Sequence, residues 1–194
     1  MNAEIDISGV TLHTERLILR PWRLTDLEDF YAYASVDGVG QMAGWKPHAS
    51  REESRMILDR FIGEKKTFAL EYRGKVIGSL GIEKYNTGRF PEFADQKGRE
   101  IGYVLSKEYW GQGLMPEAVK EVIRYLFEEV GLDVIFCGHF LWNRQSQRVQ
   151  EKCGFRHYAF DTYRTRMDTT EEEEINILTR SCWTSVGQSG ENHF

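Results

Sequence analysis

The apolar positions along the chain change period, and each change marks an element. Ala118, Val119, Val122, Ile123, Leu126, Phe127 and Val130 fall on one face of a helix, and Gly131 follows them as a residue suited to a left-handed cap. Ile101-Gly102-Tyr103-Val104-Leu105 before that helix and Val134 to Phe140 after it have the composition of strands. Nearer the start, Leu17, Ile18 and Leu19 predict a first strand within Leu12 to Trp22, ended at Pro21. Thr25 with Glu28 and Ser50 with Glu53 have the spacing of capping boxes. The first stands ahead of Leu27, Phe30, Tyr31 and Ala34, the second ahead of Ile57, Leu58, Phe61 and Ile62, so two helices are expected, separated by a glycine-rich loop.

Thr67 to Tyr72 and Lys75 to Ile82 read as a hairpin joined at Arg73-Gly74. The polar stretch from Tyr85 to Gly98, with Tyr85, Phe90 and Phe93, reads either as a lid or substrate loop or as a surface hairpin. His157 to Arg166 and Ile175 to Trp183 read as a last antiparallel pair turning near Asp168, with Glu171 to Glu174 as a solvated edge. Residues 1–11 are expected to be mobile, 12–184 to form one mixed α/β domain, and 185–194 to be a disordered tail.

The 194 residues, 41% of them hydrophobic, suffice for one sizeable core. A formal charge of −5 argues against nucleic acid as the main partner. Cys137, Cys153 and Cys182 form no Cys-x-x-Cys pair, which fits reduced thiols. No run approaches the roughly 18 apolar residues of a membrane span, and Met1 to Val10 carries acids where a signal peptide has bases, so a cytoplasmic protein with no membrane partner is expected.

Chemistry concentrates at Tyr109-Trp110-Gly111-Gln112-Gly113-Leu114-Met115-Pro116. A strand, a glycine turn and a helix start together expose backbone N–H groups at the positive end of a helix dipole. The donors from Gly111, Gln112, Gly113, Leu114 and Met115 could hold a phosphate, and Pro116 sits where a missing N–H costs little. An ordinary turn that opens a core helix and binds nothing is the other reading. Gly113 is not followed by Lys-Ser/Thr, which excludes a nucleotide P-loop, and Pro116 stands where a dinucleotide fingerprint needs its third glycine.

Downstream, Asn143-Arg144-Gln145-Ser146 follows a strand, and Glu151-Lys152-Cys153-Gly154-Phe155 closes a short helix. With the Gly-x-Gly turn, this series resembles the GNAT superfamily of acyl-CoA-dependent N-acyltransferases. More narrowly, it is similar to the ribosomal-protein (RimJ/RimL-like) N-terminal acetyltransferase branch, over about Leu12 to Trp183. The resemblance implies an α/β (α+β) fold: a single domain with a mixed, mostly antiparallel sheet of about seven strands, flanked by about four helices, with its central strands splayed apart. It implies acetyl-CoA as cofactor and no metal. Main-chain groups at Val104 and Leu105 would pair with the pantetheine arm, Asn143 would bond to that arm, Ser146 would face the sulfur, and Lys152 would lie toward the diphosphate.

Asn143 and Ser146 are equally good turn or cap residues for the helix that follows. Many GNAT members carry a tyrosine seven residues after this Asn, where its phenol protonates the leaving thiolate; here the residue is Gln150, which cannot act as that acid. Ser146 or water would then supply the proton. Glu108, at the head of the glycine motif, is a smaller departure. The candidate bases are Glu100, at the start of its strand and on the face of Gly102 and Val104, and His139 on the next strand.

The expected activity is acetyl transfer to a primary amine by direct attack in a ternary complex, with a protein N-terminus or a small amine as acceptor. A non-catalytic acyl-CoA-binding or sensing domain is the alternative. A second copy of the chain, as a homodimer, stands among the candidate partners.

Overall fold

The computed structural model describes residues 1–189. One eight-stranded sheet runs in the order β1-β2-β3-β4-β5-β6-β8-β7. Its strands are β1 (Leu12–His13), β2 (Leu17–Pro21), β3 (Thr67–Tyr72), β4 (Lys75–Glu83), β5 (Gly98–Leu105), β6 (Val134–Phe140), β7 (Arg156–Arg164) and β8 (Thr170–Thr179). The helices are α1 (Leu27–Ala34), α2 (Arg51–Glu64), α3 (Leu114–Glu128), α4 (Arg144–Lys152) and α5 (Arg180–Ser189). Every pairing is antiparallel except that of β5 with β6.

That exception shapes the molecule. β5 and β6 pair only from Gly98↔Val134 to Glu100↔Phe136, whereas β4 holds β5 as far as Leu105 and β8 holds β6 as far as Phe140. Each strand is anchored on its outer side, so Ile101–Leu105 and Cys137–Phe140 diverge as the expected splay. Beside the end of β5, Ile77 is the extra residue of a β-bulge in β4, a feature that bends a strand and increases its twist.

Apolar residues cover both faces. On one, α3 buries Leu114, Met115, Ala118, Val119, Val122, Ile123, Leu126 and Phe127 against Leu17, Leu19, Phe68, Leu80 and Ile135. On the other, α1 and α2 pack Phe30, Tyr33 and Leu58 on Trp22, Ala69 and Val76. The Tyr85–Gly98 stretch completes this second face, with the Phe90 ring stacked 4.7 Å from Phe136 and Tyr85 4.9 Å from it. Its aromatics therefore belong to the core rather than to a lid.

The Arg73-Gly74 turn has φ of 52° and 79°, as a tight hairpin with two left-handed residues requires. Ser50 caps α2 by accepting from Glu53 N at 3.2 Å, and Glu53 Oε2 accepts in return from Ala49 N at 2.7 Å.

Four expectations need correction. Thr25 and Glu28 form no capping box: Leu24–Asp26 is a 3-10 turn, and Asp26 accepts from Arg23 N while pairing with buried Arg20 at 2.8 Å. Residues 1–11 do not hang free, because the Met1 amine bonds to the Tyr85 hydroxyl, Arg99 donates to Ala3 O, and Ile7 is 1% exposed. Glu171–Glu174 lies inside β8, with Glu173 buried and paired to Arg89. The last strand ends at Thr179, so Trp183 stands on α5 and packs on Phe127; of the expected tail, 185–189 belong to α5 and 190–194 lie outside the described residues. No helix among the described residues is long and apolar enough to cross a membrane.

Candidate active site

The splay opens a cleft of about 510 Å3, lined by β5 from Glu100 to Leu105, by β6 from Cys137 to Phe140, by the glycine turn and by α4. At its lower end Gly111 and Gly113 have φ of 74° and 76°, dihedrals that side chains resist, and Gly113 is the N-cap of α3. Among the described residues, the backbone N–H groups from Gly111 to Met115 meet no protein acceptor. They converge at a helix N-terminus with Arg148 and Lys152 of α4 on the same rim, a donor set that fits a diphosphate. Arg16 braces the turn from outside, donating to Gln112 O at 2.9 Å and to Glu117 at 2.7 Å. Glu108 sits in the 3-10 turn ahead of it and lends only its carbonyl, which accepts from Gln112 Nε2.

Val104 and Leu105 both reach the cleft at the end of β5. The Leu105 carbonyl already accepts from Trp110 Nε1 at 2.8 Å, which limits what it can offer a ligand. Asn143 is the N-cap of α4: its Oδ1 accepts from Ser146 N at 3.1 Å and its Nδ2 donates to Met42 O at 3.1 Å. Most of its side chain is thus spent on capping and on tying the Gly40–Ala43 turn to the cleft, although it still lines the wall.

Ser146 stands at the centre of a side-chain network on the α4 face. Its Oγ lies 3.0 Å from the Tyr103 hydroxyl and accepts from Gln150 Nε2 at 3.2 Å. Gln150, 1% exposed, is held in that orientation by donating to Gly138 O at 3.0 Å and by accepting on Oε1 from Asn176 at 2.7 Å. His139 Nδ1 lies 3.2 Å from the same Oε1. When the Tyr103 phenol donates to Oγ rather than to the Ser146 carbonyl 3.3 Å away, both lone pairs of Ser146 Oγ are filled and its own proton is free to point into the cleft. Burial pushes the Tyr103 phenol well above its ordinary range, so it remains a donor at neutral pH.

Glu100 lies on the opposite face. Burial, and then repulsion from Glu173, pushes its carboxyl up from 4.5 to about 7, with Arg89 acting in the opposite direction. His139, the other candidate base, faces Gln150 and Glu174 on the α4 side, and so stands apart from Glu100 across the sheet.

The structure brings together Glu100, Val104, Leu105, Gly111, Gly113, Leu114, Met115, Asn143, Ser146 and Lys152 around one cleft, while the Gln112 side chain stays on the outer turn. Tyr103, Arg148 and Glu173 are lining residues that sequence reasoning missed. Nothing local marks Tyr103 or Glu173, whose partners Ser146 and Arg89 lie 43 and 84 residues away. Among the described residues, no group of three or more His, Cys, Asp or Glu side chains is placed to hold a metal ion.

The comparisons agree with this geometry. An acetyltransferase (GNAT) domain model matches residues 16–156. YoaA, an uncharacterized N-acetyltransferase of Bacillus subtilis, is 32% identical over 152 residues, covering 75% of this chain and 82% of its own. A GNAT-family acetyltransferase structure from Bacillus anthracis superposes with a TM-score of 0.77 at 23% identity, over 89% of this chain and 99% of that one. Mycobacterium smegmatis RimJ, solved with CoA-disulfide, gives 0.74 at 17% identity, over 96% and 98%. A matched family domain, its fold and a cleft with the donors a CoA diphosphate needs lead to one conclusion: the chain belongs to the GNAT family and is an acetyl-CoA-dependent N-acetyltransferase.

Proposed function

We propose that the chain acetylates a primary amine of low pKa, such as the α-amine of a protein N-terminus or a comparable small amine, by direct attack within a ternary complex, as in the RimJ/RimL-like branch. The observation that carries this reading is the placement of Glu100 and Ser146 on opposite faces of one splay. A base on one side and a proton donor on the other is what in-line acyl transfer asks of a protein.

Acetyl-CoA supplies the acyl group as a thioester. The N–H groups from Gly111 to Met115, with Lys152, hold its phosphates; main-chain groups at Val104 and Leu105, with Asn143, guide the arm. Glu100 takes a proton from the ammonium form of the acceptor, directly or through water, and Ser146 presents its hydroxyl to the departing sulfur. Gln150 is therefore not a lost acid, because its amide fills a lone pair of Ser146 and helps turn the serine proton outward.

Cys137 lines the cleft, but burial raises its thiol well above the ordinary range, so it offers no thiolate to carry an acetyl group. That favours direct transfer. A base near 7 is also well matched to an α-amine of about 8 and poorly matched to a lysine at about 10.4. Initial velocities measured against both acetyl-CoA and a peptide with a free N-terminus should give intersecting lines and no acetylated protein on rapid quench. Parallel lines with a trapped acetyl-enzyme would overturn the ternary mechanism.

A further inference from the structure

Glu173 is buried at 7% exposure on β8, opposite Phe140, and lines the cleft on the Glu100 face. Arg89 donates to its Oε1 at 2.8 Å but divides its charge with Asp161. The second oxygen, Oε2, has no donor among the described residues. It leans across Gly138, where an added Cβ would stand 3.2 Å away. A carboxylate oxygen that meets no donor from the described residues is left to water or to a ligand, and the missing side chain at 138 is what lets it reach into the cleft.

Glu173 and Asp161 thus share a single guanidinium whose field also reaches Glu100, and the neighbouring wall of Val39, Met42, Phe140 and Tyr163 is largely apolar. We infer that Glu173 is the binding group for the acceptor's ammonium, so that the site selects a primary amine arriving as a cation with an apolar or aromatic group beside it. The inference rests on the acetyl-transfer reading for its direction of approach, and it adds the chemistry that recognises the acceptor.

The cation completes the hydrogen bonding of Oε2 and offsets the repulsion between the two glutamates. Glu100 is then easier to ionise. The charged or titratable groups facing Glu100 are Glu173 from β8, Arg89 from the 84–97 segment, Glu83 from β4 and Cys137 from β6. One N–H bond of the ammonium then breaks, its proton passes to Glu100, and the nitrogen lone pair is freed for attack.

The experiment measures binding of phenethylamine and of its neutral counterpart 2-phenylethanol to the CoA-loaded full chain by calorimetry at about pH 7, where the amine is cationic. The amine should bind the wild type at least about tenfold more tightly than the alcohol, and Glu173→Gln should abolish that preference while leaving alcohol binding unchanged. Gly138→Ala, which keeps the Arg89 pair but fills the space before Oε2, should do the same and serves if Glu173→Gln does not fold. Equal binding of amine and alcohol to the wild type overturns the inference, as does a preference that survives in whichever of the two variants folds. Turnover of acetyl-CoA is measured separately, so a failure of ammonium recognition is distinguishable from a failure of acetyl transfer.

Discussion

Replacing Glu100 with Gln should remove activity and add stability. The carboxyl stands at about 7 in the folded chain against 4.5 for an ordinary glutamate, chiefly because it is buried and secondly because Glu173 repels its charge. A folded value above the unfolded one means that the native state prefers the protonated form. The full stability is present below about pH 4.5 and is lost as pH rises through 7. At ~1.36 kcal/mol per pH unit, the cost of holding the carboxylate at pH 8 is about 3 kcal/mol. Residual solvation from the open cleft brings the expected figure to about 2 kcal/mol.

A neutral amide escapes that cost. Glu100→Gln should be within about 0.5 kcal/mol of wild type at pH 4.5 and about 2 kcal/mol more stable at pH 8, a rise in Tm of roughly 4 to 8 °C for a domain of this size. In wild type, kcat/KM for the amine should fall below a midpoint near 7; in the variant that limb should give way to the one set by the amine's own ionisation near about 8, with turnover down about 10²-fold or more. Urea or thermal melts at the two pH values and a pH–rate profile supply the readouts. A stability difference that is the same at pH 4.5 and pH 8, or an acid limb that keeps its midpoint near 7 in Glu100→Gln, would refute the reasoning.

Ser146→Ala should lower turnover about 10²-fold while acetyl-CoA affinity stays within about twofold, measured by stopped-flow turnover and calorimetry. Tyr103→Phe removes only one of the donors to Ser146 Oγ and should cost about tenfold in kcat with KM for acetyl-CoA unchanged; an unaltered kcat would reduce Tyr103 to a packing residue. Gly113→Val forces a branched side chain to a φ of 76° and blocks close approach, so the protein should lose about 1 to 2 kcal/mol of stability but more than about tenfold in CoA affinity. Equal affinity in folded Gly113→Val would remove the phosphate from this turn.

How legible each feature was depended on how local its cause is. The α3 face, the Arg73-Gly74 turn and the Ser50 cap of α2 follow from neighbours within a few residues, so spacing alone finds them. Thr25 with Glu28 has the same local signature as the Ser50 cap, yet Asp26 is drawn to Arg20 across a turn and the helix begins differently. The glutamate run 171–174 reads as solvated edge because the burial of Glu173 is set by Arg89, 84 residues away. Cys182 and Trp183 continue the strand pattern in the sequence, whereas in the fold they stand on α5 and Trp183 packs on Phe127 of α3. In the site, the glycine turn and the Asn143 to Ser146 pair were visible as motifs. The partnership of Tyr103 with Ser146 was not, since it spans 43 residues and is made by the splay itself.

The most direct test of the central claim uses two peptides of matched sequence, one with a free N-terminus and no lysine, the other N-terminally blocked with a single internal lysine. Acetylation by acetyl-CoA is followed by mass spectrometry across about pH 7 to 9. At about pH 7.5 roughly a quarter to a third of an α-amine is neutral, against about a thousandth of a lysine, and a base near 7 bridges the first gap far better than the second. The free N-terminus should be acetylated faster at every pH, with the advantage narrowing as pH rises. Faster acetylation of the blocked lysine peptide over that range would contradict the account.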